Sequence, residues 1–229
     1  RRYPAGMINE FDSVDEIRSF DPKFIENVDS EVFDHISEAL GCRKTDISGF
    51  YPLKQGLTNL SCHFAVDGEE YVYRHPGIGT EEIVDRHAEA AGLRLACELG
   101  LDTTFVADDD ARGWKIARFV PEARNLDITN ADELRQAMRM ARSLHTSGRR
   151  LERDFDYIQE ALHYERLVER HHPIDLPDYV ELRTKVMRLK VHTDADGFER
   201  VPSHNDFFPP NFLVAADGHI DLIDWEYAG

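Results

Sequence analysis

The sequence predicts an α+β protein, with a five-stranded antiparallel sheet in its first half and a mostly helical second half. Three observations predict it. Between Ile47 and Val120, short apolar runs of strand period are broken by turn residues, with one long helical stretch among them. From Ala131 to Lys190 the apolar spacing lengthens to that of helices. From His204 to Glu226 a loop leads into two short apolar runs around Asp217-Gly218, a tight hairpin turn.

Taken in order, Ile8 to Phe11 reads as a short strand. Asp12 or Ser13 then caps a short helix with Asp15 and Glu16 in its first turn, stopped by Asp21-Pro22. Ser30 to Leu40 is an amphipathic helix with Ser30 as N-cap, Val32, Phe33, Ile36 and Leu40 as its apolar side, and Gly41 as its stop. Strands follow at Ile47 to Leu53, Leu60 to Val66 and Tyr71 to Arg74. Lys54-Gln55-Gly56 breaks the first pair and Asp67-Gly68 turns the second. Thr80 to Leu99 is predicted as one helix, with Glu81 and Glu82 in its first turn and Gly100 at its end. Thr103 to Ala107 and Trp114 to Val120 form a hairpin. Beyond it, Ala131 to His145 has Asn130 as a cap and places Leu134, Ala137, Met138, Ala141 and Leu144 on one face. Helices at Phe155 to His171 and Asp178 to Lys190 precede a polar loop from Val191 to Pro202. No internal repeat or low-complexity tract occurs.

The 229 residues are enough for one large domain or two lobes with a substantial core. The formal net charge is −17, which argues against a nucleic-acid partner and suits a small, often cationic substrate. No apolar run approaches the roughly 18 residues of a membrane span, and Arg-Arg-Tyr-Pro-Ala-Gly lacks the apolar core of a secretory signal. Cys42, Cys62 and Cys97 are scattered and outside C-x-x-C spacing, as expected of reduced packing residues in a cytoplasmic protein.

The chemistry concentrates in H-N-D-F-F-P-P-N-F-L-V-A-A-D-G-H-I-D-L-I-D-W-E, from His204 to Glu226. The hairpin folds Asp224 back beside Asn211, so one loop offers Asp206, Asn211 and Asp224 to a single small volume. Asp and Asn are also common turn formers, and D-G alone is only a hairpin, but the full string is far more specific. Phosphoryl transfer needs this set: one Asp to accept the proton of an attacking hydroxyl, and an Asn and a second Asp to hold Mg²⁺ on the phosphates of ATP. Glu226, two residues after Asp224, either assists the metal or faces a cationic substrate. His204 belongs to the catalytic set with Asp206, bracing the loop rather than titrating, and it lacks Cys or His partners at zinc-ligand spacing.

This string resembles the kinase catalytic loop and metal-binding Asp, with Asn205 in place of the usual Arg and D-W-E in place of D-F-G. Both departures resemble the choline/ethanolamine kinase and aminoglycoside phosphotransferase superfamily, and H-N-D…P-x-N-F-L…I-D-W-E-Y-A-G is most similar to choline kinases. The resemblance implies a protein-kinase-like fold of two lobes, with β-β-β-α-β-β as the small lobe. Residues 1–40 then form an N-terminal arm with a short helix, 41–120 the N-lobe, and 121–229 a partial helical C-lobe with the catalytic loop. It also implies ATP-dependent phosphorylation of choline to phosphocholine, with ethanolamine or an aminoglycoside as alternative acceptors. A reading of another class is a nucleotide-binding or partner-binding module without turnover. A kinase-like fold normally continues with more helices past Gly229, so the expectation is a C-terminally truncated fragment.

For the nucleotide end, G-L-T-N-x-S from Gly56 to Ser61 resembles the phosphate loop of choline kinases. It implies phosphate binding in the loop of Gly56, by backbone N–H groups around Leu57 to Asn59 and by the Thr58 hydroxyl, with Asn59 either binding or bracing the loop. Arg74 stands where kinases carry the third-strand Lys, as in choline-kinase-like sequences, and its fork suits phosphate. Glu89 is the best match for its orienting carboxylate, with Glu81, Glu82, Asp85 and Glu98 as rivals. Ala117, Arg118 and Phe119 are candidates for holding adenine. Finally, I-N-E-F-D-S-V-D-E-I-R-S-F-D-P resembles the tail of a sugar- or choline-phosphate nucleotidyltransferase, which implies a possible fusion of the two enzymes.

Overall fold

The computed structural model describes residues 31–53, 59–77, 80 and 82–229. The predicted first strand and helix, the nucleotidyltransferase-like tail, the Ser30 cap, Gly56 and Thr58 lie outside the described residues. The chain divides into two compact units, Arg1–Glu81 with Thr103–Ala123 and Glu82–Asp102 with Arg124–Gly229.

In the first unit the predicted strands form one antiparallel sheet of order β1-β2-β3-β5-β4, from β1 (Ser48–Pro52), β2 (Asn59–Val66), β3 (Glu69–Pro76), β4 (Phe105–Asp109) and β5 (Trp114–Arg118). Asp67 and Gly68 both take positive φ, 54 and 86°, as a two-residue hairpin between β2 and β3 requires. Cys62, Tyr73 and Ile116 lie in register across β2, β3 and β5 and so share a face. On that face Phe64, Val66, Tyr73, Trp114 and Ile116 pack with Phe33 and Ile36 of helix α1 (Glu31–Leu40) into one core. His35 of α1 enters the same layer, hydrogen-bonded to the Tyr73 hydroxyl at 2.9 Å and stacked on Trp114. Arg74, next to Tyr73, belongs by alternation to the other face.

The second unit holds helices α2 (Arg86–Glu98), α3 (Ala131–His145), α4 (Tyr157–His171) and α5 (Tyr179–Asp196), and the hairpin β6 (Phe212–Val214) and β7 (Ile220–Leu222). Helix α2 starts later than its acidic residues predict, because the Asp85 side chain accepts from the Ala88 N–H and caps it there. Helix α3 has the predicted bounds, with the Asn130 side chain accepting from Asp132 and Glu133. Its buried face is Ala137, Met140 and Leu144, whereas Leu134 and Met138 are exposed. Helix α5 runs on into the predicted polar loop and stops at Gly197, φ 64°.

The hairpin is held along both edges. Arg124 and Val214 exchange backbone hydrogen bonds on the β6 side, and the Leu222 N–H donates to the Leu101 carbonyl on the β7 side. The Arg124 guanidinium also forks onto Glu133 of α3 at 2.7 and 2.9 Å, which pulls that carboxyl down to about 2.

Candidate active site

Pro209 and Pro210 pre-set a 3₁₀ turn, Pro209–Asn211, that leads directly into β6. After β7 the Ile223 N–H donates to the Asn211 carbonyl at 2.8 Å, so Asp224 arrives beside Asn211 as the spacing predicts. The strand has ended by then. Asp224 has φ 70°, a conformation that Asp tolerates better than most residues. Strand alternation, which would put Glu226 on the same side as Asp224, therefore does not operate.

Asn211 is buried and gives its amide nitrogen to Asp206 twice, to the carboxylate at 2.8 Å and the backbone carbonyl at 2.9 Å. That fixes the Asp206 carboxylate and leaves the amide oxygen as the Asn211 side-chain atom with the chemistry to bind a cation. Asp206 itself is half-buried. Its N–H donates to Nδ1 of His204 at 3.2 Å, while Nε2–H of His204 donates to the Ile223 carbonyl at 2.9 Å. His204 is 2% exposed, and burial holds its pKa below the usual 6.5. It joins the loop of Asp206 to the segment of Asp224.

Two further ties join the same segments. Ser203 and Gly229 exchange backbone hydrogen bonds at 3.0 and 3.2 Å. The Asn205 amide donates to the Tyr227 carbonyl at 2.9 Å. Sequence reasoning used Asn205 only as a family marker, although Asn was a signal for its left-handed φ of 62°. The Ser203–Gly229 pair is purely backbone and leaves no signal in residue types.

Glu226 is buried, and the Tyr227 phenol hydrogen-bonds to it. Burial first, then the Glu226 charge, push the Tyr227 hydroxyl up to about 12, and burial also raises Tyr164, with Tyr227 as its neighbour. Tyr227 meets Phe155 edge-on, whereas Trp225 is fully buried core and donates to the Leu222 carbonyl. Among the described residues no three His, Cys, Asp or Glu side chains gather as a metal site. One amide oxygen and one carboxylate, Asn211 and Asp224, nevertheless fit Mg²⁺, which is usually held by one or two carboxylates and completed by phosphates and water.

Glu89 is buried in the second unit and accepts from Arg86 at 2.8 Å, a partner the sequence reading left out despite its helical spacing. In the first unit Arg74 pairs with Ser61 and Lys115, and Asn59 opens β2 opposite Pro76. Ala117 lies between Val72 and Phe105 in the sheet. The Phe119 N–H donates to the Glu70 carbonyl and the Arg118 N–H to the Thr104 carbonyl, so those two donors are already engaged.

A family model described as phosphotransferase enzyme family (APH) matches residues 50–229. The chain belongs to that family and is a phosphotransferase with a small-molecule hydroxyl acceptor. It is similar to the crystal structure of choline kinase LicA from Streptococcus pneumoniae, with 26% identity and a TM-score of 0.74 over 87% of this chain and 70% of that one. The structure of LicA in complex with AMP matches at 26% identity and a TM-score of 0.72, over 87% and 69%. A choline/ethanolamine kinase family protein from Mesorhizobium loti shares the fold at 23% identity and a TM-score of 0.64, over 86% and 66%. A comparison with curated protein sequences gives no match. The fold is kinase-like, with the five-stranded antiparallel sheet the sequence predicted. No helix among the described residues is long and apolar enough to cross a membrane.

Proposed function

We propose that this member of the phosphotransferase enzyme family transfers the γ-phosphate of ATP to the hydroxyl of choline. The observation that carries the choline reading is the buried Glu226 with the phenols of Tyr227 and Tyr164 close by, two residues from Asp224. A quaternary ammonium donates no hydrogen bond, and it is recognised by carboxylate charge and aromatic faces. Both phenols are neutral at physiological pH, and burial pushes their pKa values further up, so they bring no charge of their own to a cation.

In this reading Asp206 accepts the hydroxyl proton as the oxygen attacks the γ-phosphorus and the bond from that phosphorus to ADP breaks. Asn211 orients Asp206 through its amide nitrogen, which suits an in-line approach. Asn211 and Asp224 would hold Mg²⁺, which when bound offsets the phosphate charge. His204 keeps the two segments together. Arg74, Gly56, Thr58 and Asn59 are assigned to the phosphates, and Ala117 and Phe119 to adenine.

A phosphate-transfer assay with choline, ethanolamine and kanamycin tests this. The expected order is choline first, because aromatic faces favour the methylated cation. Preference for kanamycin overturns the choline assignment and leaves the phosphotransferase in place. Nucleotide binding with no transfer to any acceptor favours the binding module instead.

A further inference from the structure

Asn205 stands between His204 and Asp206 with a left-handed backbone and its own bond to the segment that carries Asp224 and Glu226. We propose that Asn205 is a positioning residue for the phosphoryl transfer, its amide setting the place of Asp206 relative to that segment. Three consecutive residues grip it at three points: Ser203 at Gly229, His204 at Ile223 and Asn205 at Tyr227. The first bond fixes one end and the second the other. The third fixes Tyr227, whose phenol bonds to Glu226. The φ of 62° at Asn205 reverses the chain just before Asp206, which allows the Asp206 N–H to meet His204 two residues back.

This role rests on the choline-kinase reading, in which Asp206 takes a proton from a substrate held by Glu226. Error in their separation is felt when the hydroxyl attacks, not when the nucleotide binds. A residue that served only the fold would alter stability and nucleotide affinity together.

Two variants separate these roles. Asn205→Gly keeps the left-handed backbone and removes the amide. Asn205→Asp keeps size and backbone tolerance and sets an acceptor against the Tyr227 carbonyl. In both, kcat for choline should fall roughly tenfold, the worth of one hydrogen bond realised in the transition state, while KM for ATP stays within about twofold. Backbone amide exchange at Ser203 and Ala228 should speed up in both variants. Wild-type kcat in Asn205→Gly, or unchanged exchange at those amides, overturns the proposal. If the wild type itself does not phosphorylate choline, the substrate assignment falls and the exchange measurement alone decides on Asn205.

Discussion

At His204, Nδ1 accepts from the Asp206 N–H and Nε2–H donates to the Ile223 carbonyl, so both bonds survive only in the neutral ring. Its folded pKa lies below the 6.5 of the free side chain, so below that pH the unfolded chain takes up more protons. The contribution of His204 to stability is complete above about 6.5 and is lost as pH falls from there towards the folded value. Melting temperature should drop over that window, and His204→Gln should flatten that part of the profile. An identical profile in the variant would rule out His204 as its source. Asp206→Ala should abolish turnover and leave nucleotide Kd nearly unchanged, because Asp206 acts on the acceptor proton. Asp224→Asn should raise the Mg²⁺ concentration needed for nucleotide binding, with partial rescue by Mn²⁺; unchanged metal dependence counts against its role. The sequence revealed these side chains because their spacing spans one short hairpin. It did not reveal the Ser203–Gly229 pair or the Asn205 amide bond, which depend on backbone direction and not on residue type.

Among the elements, helix α2 lies close against the segment after Asp224 at Gly92. A Cβ there would lie 2.5 Å from that of Ala228 and 3.6 Å from the Trp225 side chain. Gly92→Ala should therefore destabilise the protein by about 1–3 kcal/mol, the usual cost of overpacking, and lower kcat as Trp225 and Ala228 shift. Adding Ala228→Gly should recover part of both losses; purely additive losses in the double variant would mean the contact is not the cause. Elements with a strong local stop or cap were legible: α3 began directly after its Asn130 cap, and the β2–β3 turn fell on Asp67-Gly68. The start of α2 was not, because a run of acids at Glu81 and Glu82 imitates a first turn while Asp85 supplies the cap. Nor was the end of α5. None of its residues is buried, so no apolar period marks how far it runs, and its last turns are polar, with Lys190 bonded to Asp194.

For the molecule as a whole, the net charge of −17 acts oppositely on the two proposed substrates. Added salt should raise KM for choline and, at fixed free Mg²⁺, lower KM for ATP, since screening weakens attraction and repulsion alike. Parallel changes in both would mean that salt acts on the fold instead. The fold class was legible because strand and helix periods are segregated along the chain. The grouping of α2 with the second unit was not, because sequence order placed it among the strands. The doubly held hairpin has a consequence for the time course of folding. A two-stranded ribbon is at best marginal alone, although it closes within about 1–10 μs. Its lasting partners, Leu101 and Arg124, are remote in sequence, and closing such long loops is slow. Helical signal should therefore recover early on refolding and catalytic competence late, in the slowest phase that builds native structure. Interrupted refolding assayed for phosphate transfer would show whether the active site is the last part of this chain to form.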